Sequence, residues 1–190
     1  MKIMVITCLI SMVSTITHAA VITFEGLTNS WAPYTYTTPT APQTLSGFDI
    51  AFLHAHYEDS SYRSDLPGSD YLMMDSNYSF DITANNGSPF SIQSFQVSEF
   101  RPQTTRQRDI VVSGQLLGGG IVNTTFTTDN FFGFETLNFD SSWTNLTSVH
   151  FSESVGVLAY DNFTLNEVPE PMTLTLLALG TGLISRRKRN

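Results

Sequence analysis

The chain has 190 residues, a formal net charge of −8 and one cysteine. Four of its nine basic residues are packed into Arg186, Arg187, Lys188 and Arg189, and a fifth is Lys2, so the body keeps only Arg63, Arg101, Arg106 and Arg108. So acidic a body repels a phosphate backbone, which sets aside a general nucleic-acid role, and Cys8 alone supports neither a disulfide framework nor a cysteine metal site.

Residues 1–19 read as a secretory signal peptide. Lys2 supplies a short positive start, Ile3 to Ile16 is largely apolar, and Thr17-His18-Ala19 offers small residues at the positions a signal peptidase reads. Cleavage is expected after Ala19, with Ala20 as the alternative. The remaining domain, residues 20–167, is rich in Thr, Ser, Asn, Phe and Gly, a composition that favours strands and turns.

In chain order the predicted strands are Val21–Glu25, Gly47–Phe52, Tyr71–Met74, Tyr78–Thr83, Phe90–Val97, Asp109–Leu117, Ile121–Thr127, Thr136–Phe139, Leu146–Phe151 and Val157–Leu165. Asn85-Asn86-Gly87 and Gly118-Gly119-Gly120 mark turns between them. Within Phe90–Val97 the apolar phase changes: Phe90 and Ile92 alternate on one face, Phe95 and Val97 on the other, which predicts a bulge or corner near Ser94. The segments from Ala32 to Ser46 and from Glu58 to Asp70 read as long loops. About ten short strands with no helical periodicity predict an all-β domain, an antiparallel β-sandwich of jelly-roll type.

The end of the chain, residues 168–190, has three parts in sequence. Pro169-Glu170-Pro171 is stiff and extended, because each proline fixes its own φ and restricts its predecessor. Met172 to Ile184 carries no charge. Arg186, Arg187, Lys188 and Arg189 then form a stop-transfer cluster that holds the cytoplasmic side. As a transmembrane helix the run would cover only about 20 Å of a core roughly 30 Å thick, so it would cross by thinning the bilayer or by snorkelling arginines.

This tail resembles the PEP-CTERM sorting domain of exported bacterial proteins. The resemblance implies recognition by an exosortase, a transpeptidase-like membrane protease that processes the chain near Pro169-Glu170-Pro171, in bacteria that make exopolysaccharide. It places the chain in the inner membrane transiently, and afterwards on the outer surface, in the extracellular matrix or free. The body carries a weaker resemblance. Ile22-Thr23-Phe24-Glu25-Gly26-Leu27, Ser46-Gly47-Phe48, Val112-Ser113-Gly114 and Tyr160-Asp161-Asn162-Phe163-Thr164-Leu165 are similar to bodies that often precede such tails, which look like galactose-binding-type jelly rolls. That implies a fold, not an activity.

Several residue sets have chemistry to offer. If the first and last strands are neighbours, Glu25, Asp161 and Asn162 present hard oxygen ligands for a structural Ca²⁺. Trp31, Tyr34, Tyr36, Tyr57 and Tyr62 supply flat aromatic faces on which a sugar ring stacks. His54 and His56 share a face of an extended segment, and with His150 they would make a zinc or copper set. Arg101, Arg106 and Arg108 form the body's one basic patch, suited to an acidic polysaccharide. No nucleophile elbow, zincin motif or phosphate loop is present, so the expected protein is not an enzyme. It is a non-catalytic, glycan-associated or structural sandwich. The competing class is a secreted glycan-active enzyme, a two-carboxylate glycoside hydrolase or lyase.

Overall fold

A computed structural model describes residues 19–25, 27, 42–52, 55–58, 70–74, 78–99, 107–131, 133–153 and 157–167. They form twelve strands: β1 Ala19–Ile22, β2 Gln43–Leu45, β3 Phe48–Phe52, β4 Ala55–Glu58, β5 Tyr71–Met74, β6 Ser79–Ala84, β7 Phe90–Glu99, β8 Asp109–Leu116, β9 Ile121–Thr127, β10 Glu135–Asn138, β11 Leu146–Glu153 and β12 Leu158–Glu167. All pairings are antiparallel. Among the described residues no helix is long and apolar enough to cross a membrane. The predicted signal peptide, apart from Ala19, and the predicted sorting tail lie outside these residues.

The strands make two layers. One runs β2-β3-β6-β11-β8-β9, and the other runs β10-β7-β12, with β5 and then β4 beside the first half of β12 and β1 beside its second half. A single register pair, Leu146 with Phe90, joins them. From β5 to β12 the chain changes layer at every connection except the β8–β9 hairpin, which is the wrapping of a jelly roll.

Alternation explains the sandwich. On β6, Phe80, Ile82 and Ala84 turn inward while Ser79, Asp81 and Thr83 stay at the surface; β8 buries Ile110 and Val112 in the same way. The core between the layers is aromatic. Phe95 sits at its centre, with ring centroids 5.3 Å from Phe126, 5.7 Å from Phe139, 5.2 Å from Phe151 and 5.9 Å from Phe163. Phe80 stacks on Phe151 at 4.7 Å. Gly114 marks the tightest packing on β8: a Cβ there would stand 2.7 Å from Leu146 Cδ2 and 3.0 Å from the Trp143 ring, so only glycine lets Trp143 close over the strand.

The ten predicted strands are all present; Tyr71–Met74 and Ile121–Thr127 keep their predicted ends, and no end of the others moves by more than three residues. The expected phase change on β7 is there: its register with β12 shifts between Ser94 and Ile92, so Phe90 and Ile92 face the same core as Phe95 and Val97. Its counterpart on β12 was not expected. The register breaks between Asp161 and Thr164, with Asn162 in the left-handed region at φ 48°, and this lets Leu158, Tyr160, Phe163 and Leu165 all reach the core. Two strands are additions. β2 occupies the end of the segment read as a loop to Ser46, and turns into β3 through Ser46 and Gly47, both at positive φ, the conformation a two-residue hairpin requires. β4 takes in Glu58, the start of the other segment read as a loop.

Candidate functional site

The first and last strands are neighbours, as expected. β1 runs along β12 with Ile22 opposite Phe163 and Ala19 opposite Asn166. Glu25 lies beyond the end of β1 and is exposed. Asp161 is buried, and its carboxylate turns to its neighbour: Oδ1 accepts the Asn162 N–H at 2.8 Å and Oδ2 accepts Asn162 Nδ2–H at 3.1 Å. The bulge at Asn162 thus aims a polar side chain along the outward face of its layer. Asn162 Nδ2 also donates to Gln96 Oε1 at 2.8 Å, and Gln96 Nε2 donates to Thr136 Oγ1 at 3.4 Å. The result is a bonded row, Thr136–Gln96–Asn162–Asp161, crossing β10, β7 and β12. Amides of this kind donate and accept at once, which is what vicinal sugar hydroxyls require.

Along β7 and β10 this row leads to a shallow cavity. Asn138 lies opposite Ser94, and the next residue, Phe139, donates its N–H to the Gln93 carbonyl at 2.9 Å. Beyond that point Ser91, Ile92, Gln93, Phe139, Asp140, Ser141, Trp143 and Thr144 line a volume of about 280 Å³. Phe139 and Trp143 pack ring to ring at 4.6 Å beneath it, and the Ile92 N–H bonds to the Trp143 carbonyl at 3.2 Å. Gln93, Asp140, Ser141 and Thr144 are exposed at its rim. The Asp140 carboxylate is held below the usual carboxylate range, first by the Ser142 hydroxyl and then by the Ser142 N–H, which it accepts at 2.8 Å. It is therefore ionised and oriented over a broad pH range.

A second cluster brings together three carboxylates that the sequence reading did not single out. Oxygens of Glu99, Asp129 and Glu135 lie within 4.8 Å of one another, at the end of β7, in the β9–β10 loop and at the start of β10. Each is also tied to backbone. Glu99 Oε1 accepts the Asn130 N–H at 2.8 Å, Glu135 Oε1 accepts the Asp129 N–H at 2.9 Å, and Asp129 Oδ1 accepts the Phe131 N–H at 2.9 Å. Asn130 at φ 63° and Gly133 at φ 105° let the loop fold over them. Three oxygens so placed suit a hard cation such as Ca²⁺. The signal available in the sequence was the run Asp129-Asn130 with Gly133 and Glu135 beyond it, but nothing local joins it to Glu99, which is 30 residues earlier.

Burial, then the charges of Asp129 and Glu99, raise the Glu135 pKa above its ordinary value, against the lowering effect of the Asp129 N–H. A carboxyl whose pKa is raised by folding adds stability below the unfolded-state pKa and loses that contribution as pH rises through the folded value. Near neutral pH Glu135 is thus a liability. Glu135→Gln keeps an oxygen for the Asp129 N–H and should stabilise the fold there by a few tenths of a kcal/mol, solvent screening keeping the gain small. Below about pH 4 the difference should vanish. Thermal melts at both pH values check this. Repeated with millimolar Ca²⁺, they should show a larger rise for the wild type than for Glu135→Gln, because the ion offsets the repulsion that the variant lacks.

The other predicted residues divide by place. Trp31, Tyr34, Tyr36, Tyr62, His54, Arg101 and Arg106 lie outside the described residues, as do Pro169, Glu170, Pro171 and Arg186 to Arg189. Tyr57 is on β4, its Cα opposite Leu72. His56 is on the same strand, at the edge of the layer that contains β12, whereas His150 is on β11 in the other layer with Nδ1 2.8 Å from Asp81 Oδ1. His56 and His150 thus stand on strands of different layers, and His54 lies outside the described residues.

No family model and no curated protein matches the chain. Among solved structures, an F5/8 type C domain from Bacteroides fragilis is 10% identical with a TM-score of 0.45, covering 67% of this chain and 97% of that one. A family 29 carbohydrate-binding module from Piromyces equi is 11% identical with a TM-score of 0.44, covering 80% of this chain and 91% of that one. A family 11 carbohydrate-binding module from Clostridium thermocellum, solved with a mixed-linked tetrasaccharide, is 11% identical with a TM-score of 0.38, covering 67% and 93%. Likenesses of this size transfer no ligand, so the functional reading rests on the chain's own residues.

Proposed function

We propose that the protein is an exported, non-catalytic β-sandwich that associates with glycan outside the cell. The observation that carries the reading is the cavity at the end of β7 and β10. Its rim offers an amide (Gln93), hydroxyls (Ser141, Thr144) and an ionised, oriented carboxylate (Asp140) above a packed Phe139–Trp143 floor. That mixture suits a saccharide, whose hydroxyls need acceptors and donors at close spacing. The amide row through Gln96 and Asn162 extends it for a longer chain. The aromatic residues Trp31, Tyr34, Tyr36, Tyr57 and Tyr62 would add stacking faces, and Ca²⁺ would brace the fold rather than act chemically. The signal peptide and sorting tail supply the route: an exosortase would process the chain at the inner membrane and release it to the outer surface, the matrix or the medium.

The test is a glycan array, followed by titration with exopolysaccharide from the host. Asp140→Ala and Gln93→Ala should each lower affinity by roughly tenfold; Gln93→Ala should leave the melt unchanged, whereas Asp140→Ala also removes the two bonds from Ser142 and should lower it slightly. Reducing-sugar release should stay at background. Steady release of sugar would favour the glycan-active enzyme, and binding indifferent to both substitutions would move the site elsewhere.

A further inference from the structure

β9 ends one layer, and among the described residues it pairs with β8 alone. Seven residues long, it is unlike the other edge strands: β2 has three residues, and β1, β4 and β10 have four each, the last two carrying Glu58 and Glu135. Short length and charge are the usual protections of a sheet edge against pairing with another chain. β9, Ile-Val-Asn-Thr-Thr-Phe-Thr, has neither, nor has it a proline or a bulge. In a chain of net charge −8 this uncharged edge is where two copies would meet with least repulsion.

We propose that β9 is a self-pairing edge, which joins two copies antiparallel into one continuous sheet. The register follows from the backbone. The Thr128 N–H reaches the Arg108 carbonyl at 2.9 Å and the Gly120 carbonyl accepts the Leu116 N–H at 3.1 Å. Even-numbered residues therefore turn their backbone groups toward β8, and Ile121, Asn123, Thr125 and Thr127 turn theirs outward. A two-fold axis at Thr124 sets Asn123 opposite Thr125 and Ile121 opposite Thr127 as hydrogen-bonded pairs, ~8 backbone bonds in all.

The side chains agree with that axis. On the inner face Val122 and Phe126, which are half-buried and pack on the edge of the core, would meet Phe126 and Val122 of the second copy. Asn123 and Thr125 are polar partners on the outer face. At each end of the strand Leu117 and Ile121 of one copy, 54% and 63% exposed, approach Phe131 of the other, 72% exposed. These are three of the five large apolar side chains left exposed among the described residues.

Sedimentation and light scattering of the full chain should show a concentration-dependent dimer, and Thr125→Lys should weaken it by roughly tenfold or more. Gln115→Lys, on the face of β8 rather than at the edge, should not. With Cys8→Ser in place, Thr124→Cys should oxidise to a covalent dimer, because the two-fold sets this residue against itself in a close non-hydrogen-bonded pair; Val111→Cys should not. A wild-type chain that stays monomeric and a Thr124→Cys chain that does not cross-link would overturn the proposal. So would a dimer indifferent to Thr125→Lys.

Discussion

Replacing Phe95 with alanine is expected to remove about 3–5 kcal/mol of stability, measured by urea or guanidinium unfolding. The ring is fully buried and lies within 6.1 Å, centroid to centroid, of Phe126, Phe139, Phe151, Tyr160 and Phe163. Those rings come from β9, the loop after β10, β11 and β12, so the residue ties both layers together. A close-packed core relaxes only partly into such a space, and the loss is therefore transfer free energy plus a cavity. A domain of this size has only about 5–15 kcal/mol in total, so the variant should be marginal at physiological temperature. Phe95→Leu retains most of the volume and should cost about 1–2 kcal/mol. Phe126→Ala should fall between, because that ring is half-buried at the open edge of the sheet. A loss below about 1 kcal/mol for Phe95→Ala would mean that the aromatic cluster is not the keystone of the core.

Period-two patterning made most of this fold legible. Tyr78, Phe80 and Ile82 against Ser79, Asp81 and Thr83 gave both the strand and its inward face. The phase change between Ile92 and Phe95 located the β7 bulge, since a strand that stays in register cannot keep both pairs inside. The matching bulge on β12 was hidden by composition. Tyr160-Asp161-Asn162-Phe163 offers apolar residues three apart around two polar ones, which reads as a turn or as a strand until Asn162 is seen at positive φ. β2 and β4 were missed as strands because Gln43-Thr44-Leu45 holds a single apolar residue and Ala55-His56-Tyr57-Glu58 runs into a segment read as a loop. Their ladders to β3 and β5 hold them, and a ladder is a tertiary fact.

The site was less legible, for a physical reason. Asp161 and Asn162 stood out by type and lie in the bonded row, but the row exists because the bulge carries Asn162 to Gln96, 66 residues away in sequence. The Glu99, Asp129 and Glu135 cluster needs β7, a loop and β10 at once, and the Asp140 rim needs β10 to run on beside Gln93. Sequence reading favours residues that look reactive in isolation, such as His54 and His56. Here the polar chemistry is made of ordinary amides, hydroxyls and carboxylates placed by the register of three strands.

In the native host, the protein recovered from the outer surface or the medium should begin near Ala20 or Val21 and lack everything after roughly Pro171, as read by mass spectrometry of the intact chain. The start follows from the small residues before Ala20, and β1 begins just there, at Ala19. The end follows from three physical constraints acting on one segment. If the tail is a sorting signal, Pro169 and Pro171, each fixing its own φ and restricting its predecessor, would offer Glu170 to a protease in an extended form. The uncharged run from Met172 to Ile184 would hold that segment at the membrane surface, and Arg186 to Arg189 would pin its far end on the cytoplasmic side. As a helix of about 20 Å the run would be short for a lasting anchor, so retention would end once the chain is cut. Changing Glu170 or Pro171, or deleting the host exosortase, should make the unprocessed chain accumulate in the inner membrane, with near-complete loss of the surface form. Because β12 closes at Glu167, two residues before Pro169, cleavage there leaves the sandwich whole, and the released domain should melt at the temperature of the uncleaved one. An intact terminus at Asn190 on the surface protein would instead make the tail a plain membrane anchor.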